Sequence, residues 1–167
     1  MKKNSVSAKI LGHILILGLV VVASLIFYMM NMKTIQDKSK VIQTDGINTV
    51  IALDQVNIDI QKIQRATLTH CVAEDIGTMK NAETKLAEYK KDIDKYVGEA
   101  KDLLKDTDGE EKMSQLQKDV DSFLKDIDAV IELSAANEDE KATAKMNYVI
   151  NSWSLKLENE ADSIVSW

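Results

Sequence analysis

Proline is absent from the 167 residues, and glycine occurs only six times. With so little of the two residues that most readily stop or kink a helix, nothing in the chain forbids very long helices. Aromatic residues are scarce, and Ala, Leu, Ile, Val, Asp, Lys and Glu dominate, a helical-bundle mixture rather than a β one. The lone Cys71 excludes an intramolecular disulfide and reads as a small, buried or half-buried helix residue. There is no CxxCH, no HExxH and no ExxH pair, and only His13, inside an apolar run, accompanies His70. No glycine-rich loop could hold a phosphate, and no Ser/His/Asp set is arranged for attack. The expectation is a protein that is not an enzyme and uses no metal or cofactor.

Charge of one sign is missing from each part of the chain in turn. The first nine residues hold Lys2, Lys3 and Lys9 and no acid. From Lys33 onward 18 basic and 27 acidic residues leave −9, which with the first three lysines makes the overall −6. A net acidic exterior argues against nucleic acid as a partner, because phosphate needs a basic face. Arginine is the scarcest charge: Arg65 stands alone against twenty lysines.

What is present begins with a long apolar run. Ile10 to Met32 is 23 residues without a formal charge, and ~20 suffice for a transmembrane helix. Lysines before it place the N-terminus in the cytoplasm and everything after Lys33 outside. Val21-Val22-Ala23 could serve as a signal-peptide cleavage site, but the run exceeds the ~7–15 residues of a signal core, so an uncleaved anchor is expected. His13, near the cytoplasmic end, reads as a neutral interfacial residue. Ala8 and Gly12 form a small-xxx-small pair, a weak sign of helix pairing.

Beyond the anchor, Ile35 to Ile76 reads as one long helix with two apolar stripes. The first is Ile42, Thr49, Leu53, Val56, Ile60, Ile63, Thr67 and His70, in alternating threes and fours. The second is Ile47, Ile51, Ile58, Leu68, Val72 and Ile76, with Arg65 inside it. A helix in one bundle needs one stripe, so two stripes predict two neighbours: the protein's own bundle and a second copy. Gly77 and Thr78 are expected to stop this helix and cap the next. The second helix seam reads Met79, Ala82, Leu86, Tyr89, Ile93, Tyr96, Ala100 and Leu103. The third reads Met113, Leu116, Val120, Phe123, Ile127, Val130 and Ser134, after the turn Asp106-Thr107-Asp108-Gly109. The fourth, after the turn at Ala135–Asp139, reads Met146, Val149 or Ile150, Trp153, Leu157, Glu160 or Ala161, Ile164 and Trp167.

Four amphipathic helices joined by short polar turns predict an all-α protein, a transmembrane helix running into an antiparallel up-down-up-down four-helix bundle. Residues 1–9 are then a cytoplasmic N-terminus, 10–32 the transmembrane helix, and 33–167 an extracytoplasmic bundle. The first bundle helix would be ~66 Å long and the fourth only ~44 Å. A return to the membrane would need ~15 further residues, so the sequence reads as C-terminally truncated before a second crossing.

The basic MKKNSVSAK, the segment NIDIQKIQRATLTHCVAED and the turn region LSAANEDEKATAKMN resemble the start of bacterial methyl-accepting chemotaxis proteins, with their four-helix-bundle sensor domain. The resemblance covers the whole chain as a pattern. It implies a cell-membrane chemoreceptor that works as a homodimer whose first bundle helices meet at the two-fold axis. It implies a small-molecule ligand, or a ligand-loaded binding protein, near the membrane-distal end of that interface. Cytoplasmic signalling partners would be reached only through a C-terminal part beyond this sequence. The interface candidates are Ile47, Ile51, Ile58, Leu68 and Val72. Arg65 looks like the arginine that grips a carboxylate in the amino-acid receptors of that family, with Thr69 one turn on and Asp54 about three turns below. Thr69, His70 and Glu74 stand where further arginines would be expected, so a free amino acid is not implied as ligand. On its own, Arg65 also reads as a surface charge and His70 as a hydrogen-bonded core residue. The same bundle in a histidine kinase or cyclase, or a membrane-anchored structural bundle without a ligand, remain the competing readings.

Overall fold

The computed structural model describes residues 6–165, with side chains described for residues 12–36 and 44–165. Expectations resting on the first lysines, on the side chains of Ala8 and Ile42, or on Trp167 lie outside those residues. Described elements are all helical: α1 Val6–Val41, a π-helical turn Ile42–Gly46, α2 Ile47–Cys71, α3 Ile76–Leu104, α4 Glu110–Ala135 and α5 Asp139–Val165. The chain divides into two compact units between Thr44 and Asp45.

In the first unit, Gly12–Gln36 of α1 is long and apolar enough to cross a membrane, and none of it is buried against protein. Its serine and threonine hydroxyls are satisfied within the helix. Ser24 donates to the Val20 carbonyl at 2.8 Å and Thr34 to the Met30 carbonyl at 3.1 Å. An apolar surrounding demands that economy of any polar side chain.

The second unit is the bundle. The long helix expected through Ile76 is interrupted at the π-turn and ends five residues early, at Cys71. At the π-turn, Thr49 Oγ1 donates to the Asp45 carbonyl at 2.7 Å, a side-chain claim on the backbone ladder of the kind found at such irregularities. At the other end Val72 leaves helical geometry (φ −105°, ψ 4°) with its N–H on the Leu68 carbonyl. Gly77 is not a stop, and Thr78 is not the cap. Asp75 is the N-cap: its carboxylate accepts the Thr78 N–H at 2.9 Å and the Thr78 hydroxyl at 2.6 Å. A Cβ on Gly77 would lie 3.0 Å from Asp75 Oδ1, so the glycine gives the cap its room. The cap's hydroxyl bond, with the backbone bonds beside it, holds the Asp75 carboxyl below the usual carboxylate range.

The α4–α5 turn is set by Asn137, which adopts φ 58°. The Asn137 N–H reaches the Ser134 carbonyl and the Glu138 N–H the Leu133 carbonyl, each at 3.0 Å. That is the paired pattern of a helix ended by a left-handed residue.

α2 and α4 each pack against all three other bundle helices. Their seams carry the core: Thr49, Leu53, Val56, Ile60, Ile63, Thr67 and His70 of α2 are buried, and so is every seam residue expected in α4. Late in α3 the buried positions are Val97, Ala100 and Leu104, with Tyr96 and Leu103 half-buried beside Val97 and Leu104. A straight helix at 3.6 residues per turn drifts from a strict seven-residue repeat, and this shift by one is that drift. In α5 the core takes Val149 and Ala161, leaving Ile150, Trp153 and Glu160 half-buried at its edge.

Candidate functional site

With one side of α2 buried, its opposite side can be read directly. Ile47, Ile51, Asp54, Ile58, Gln61, Arg65, Leu68 and Val72 are all exposed and recur in alternating steps of four and three residues. The apolar members are 55%, 53%, 41%, 42% and 75% exposed for Ile47, Ile51, Ile58, Leu68 and Val72. Ile76, placed in this stripe by spacing, begins α3 instead and leaves the face. The result is a second coiled-coil seam facing outward, with three polar positions in it. On the neighbouring helix Ser154 accepts from Gln64 Nε2 at 2.8 Å, and the next residue, Leu155, is 65% exposed. Leu155 and the similarly exposed Tyr148, one heptad before it, lie outside the apolar seam of their helix.

Arg65 and Thr69 line a groove of about 150 Å³ between α2 and α3, together with Lys62, Asn81, Lys85 and Tyr89. Thr69 Oγ1 donates to the Arg65 carbonyl at 2.9 Å, so its hydroxyl proton is engaged and its lone pairs face outward. Lys62 is committed as well. Its ammonium bonds Asp59 Oδ1 at 2.8 Å and lies 5.3 Å from the Tyr89 ring centre, and the Asp59 bond raises its pKa above the usual lysine value. Among the described residues Arg65 and Lys85 form no ion pair with a carboxylate. The donors left to a ligand are therefore the guanidinium, the Lys85 ammonium and the Asn81 amide. Asp54 is not in this groove; eleven residues before Arg65 on the same helix, it lies ~16 Å away along the axis. A broader, open hollow on α5 alone is lined by Asp139, Glu140, Thr143, Ala144 and Asn147, and its two acids offer nothing to an anion.

His70 is a core residue, as its seam position indicated. It is buried, with Nδ1 3.0 Å from Ser134 Oγ and Nε2 3.3 Å from Glu83 Oε1. A carboxylate only accepts, so Nε2 is the donor to Glu83. Cys71 beside it is half-buried, and burial pushes its thiol up, away from the reactive thiolate.

Sequence reasoning passed over the acids that flank the α4 seam. Asp126 accepts Lys145 Nζ at 2.6 Å and Trp153 Nε1 at 2.8 Å, both from α5. Burial raises its pKa, but those two bonds outweigh burial and the carboxyl ends below its ordinary value. Asp119, seven residues earlier, accepts Lys156 Nζ and Gln115 Nε2, each at 2.7 Å. The signal was a repeat: each acid immediately precedes a seam residue, Val120 or Ile127, one heptad apart.

Comparison with curated proteins and with solved structures finds no match. The family model described as a four helix bundle sensory module for signal transduction matches residues 3–165, nearly the full length. That family and the one N-terminal apolar helix together point to a membrane location. The fold, the seams and this match agree: the chain belongs to the family of four-helix-bundle sensory modules of methyl-accepting chemotaxis proteins.

Proposed function

We propose that this chain is the extracytoplasmic ligand-sensing part of a membrane chemoreceptor, working as a homodimer joined through the outward seam of α2. It is non-catalytic and signals by a small displacement of helices. The observation that carries this reading is that seam itself: five exposed apolar residues at coiled-coil spacing on a helix already buried on its other side. The lysines before α1 favour a cytoplasmic N-terminus.

The same seam supports an anionic group on the ligand. In a parallel dimer, the arrangement natural to two copies anchored through α1, Arg65 faces its own copy across the axis. Two guanidinium groups ~7 Å apart at an effective dielectric of ~20 repel by ~2 kcal/mol. A carboxylate or phosphate between them converts repulsion into charge-assisted hydrogen bonds. Lys85 and Asn81 in the adjoining groove would hold the rest of such an anion, presented free or by a loaded binding protein. The anion then binds the dimer better than the monomer, and that differential affinity can shift helix packing.

Disulfide crosslinking tests the dimer. Single Ile58→Cys and Leu68→Cys variants in a Cys71→Ser background should crosslink between copies in membranes, and Arg65→Ala should remove any stabilisation by added anions. Strictly monomeric behaviour at both positions would sink the dimer. Crosslinking with no anion effect would favour a structural bundle.

A further inference from the structure

α4 and α5 are fastened by two charge clusters that are not equivalent. In the Asp126 cluster both carboxylate oxygens have donors from α5. In the other, Asp119 is buried and uses its oxygens on Lys156 and Gln115. Glu160, one turn beyond Lys156, has Oε1 3.9 Å from the same ammonium, while its Oε2 is buried with no hydrogen-bond partner. Two carboxyl groups thus compete for one lysine, and one buried oxygen lacks a donor. A charged oxygen left in that state is costly. A single proton on Glu160 repairs it, since the resulting O–H can be donated to Asp119, whose oxygens retain lone pairs.

We propose that Asp119 and Glu160 form a proton-binding site joining α4 to α5, so that the bundle senses the acidity of its surroundings in addition to any ligand at Arg65. The proton comes from and returns to solvent, and no other bond is made or broken. Burial first, then the hydrogen bond the protonated form makes to Asp119 and the negative charge of Asp119, lift the Glu160 carboxyl to about 7. Asp119 moves the other way: burial raises it, but its bonds to Lys156, Gln115 and Glu160 outweigh burial, so the shared proton resides on Glu160. The charges that act on Glu160 are Asp119 from α4 and Lys156 from α5; α2, the other helix packed on α5, contributes none. Next along the helices, Lys112 of α4 donates to the Ser163 carbonyl at 2.7 Å and adds no carboxyl to the pair.

The sign follows from linkage. A carboxyl raised in the fold stabilises fully below its unfolded pKa, and that contribution is lost as pH rises through the folded value near 7. Below the transition α5 is tied to α4 by the shared proton. Above it, two carboxylates face one ammonium and the seam loosens. Shifts of ~1–2 Å between packed helices are what switching interfaces use.

The full chain in lipid nanodiscs provides the test. Carboxyl ¹³C NMR between pH 5 and 8.5 should show one glutamate with a midpoint near 7. That signal should vanish in Glu160→Gln, and in Asp119→Asn its midpoint should fall by more than ~1 pH unit. Spin labels at Ser122→Cys and Asn159→Cys, in a Cys71→Ser background, should separate by ~1–2 Å between pH 6 and pH 8. In Glu160→Gln, whose amide reproduces the O–H donor, the labels should stay at the acid distance. The proposal is overturned by no glutamate titrating above pH ~6. It is equally overturned by label distances that ignore pH in the parent, or by a pH response that survives Glu160→Gln.

Discussion

α2 carries two seams of similar spacing and similar composition, and they meet opposite fates. The inner one, Leu53, Val56, Ile60 and Ile63, is sealed by three neighbouring helices. The outer one, Ile47, Ile51, Ile58, Leu68 and Val72, faces outward. Their polar members differ more than their apolar ones. The inner seam's Thr67 and His70 are satisfied internally, Thr67 on the Ile63 carbonyl at 2.8 Å and His70 on Ser134 and Glu83. The outer seam's Arg65 has no carboxylate partner among the described residues. Thr67 and His70 are thus closed off inside the bundle, while Arg65 stays open on its surface.

The largest expected contrast comes from truncating one residue in each seam. Ile63→Ala should cost ~2–5 kcal/mol in urea unfolding of the detergent-solubilised chain, because it opens a cavity in a sealed core. Ile58→Ala should change that unfolding by no more than ~0.5 kcal/mol while lowering the yield of intermolecular crosslinks at Leu68→Cys. Equal costs would erase the distinction between the seams.

The same contrast holds for acids. Asp126→Ala strands the Lys145 ammonium and the Trp153 indole N–H, and should cost ~1–3 kcal/mol near neutral pH. Asp54→Ala, exposed on the outer face, should stay within ~0.5 kcal/mol. Because the Asp126 pKa is lowered in the fold, its stabilisation is present above the unfolded value and is lost as pH falls through the folded one. The stability gap between the parent and Asp126→Asn should therefore narrow below pH ~4, as urea midpoints across pH would show.

Making the outer seam as apolar as the inner one sharpens the comparison further. Arg65→Leu should favour the dimer by ~1–2 kcal/mol in the absence of anions and abolish any anion dependence, read from crosslinking yields. The smallest effect is expected outside both seams. Asn137→Gly, at the left-handed position ending α4, should stabilise the bundle by ~0.5–1 kcal/mol, detectable as a rise in Tm.

The inner seam and the whole α4 seam were legible in the sequence because burial of one helix face imposes a period that survives in any single chain. Helix ends were less legible. Asp75, not Thr78, caps α3, since both residues suit an N-cap and only the path of the backbone chooses between them. The groove residues Lys85 and Asn81 could not be found beside Arg65, because they come from another helix and their meeting depends on how α3 lies against α2. Asp119 and Glu160 were hidden for the same reason. Asp119 reads alone as a solvated charge and Glu160 only as an alternative to Ala161 in its helix seam, and only the packing of α4 on α5 puts both behind one lysine.

By itself, then, the sequence determined the class of molecule: an apolar helix long enough for a bilayer, four amphipathic helices, and one helix with a face to spare. These follow from composition and period, which are local properties of a chain free of proline. Tertiary structure decided which charges are finished and which remain open. That depends on distances of a few ångströms between helices far apart in sequence. The cost of burying an unpaired charge turns those distances into pKa values.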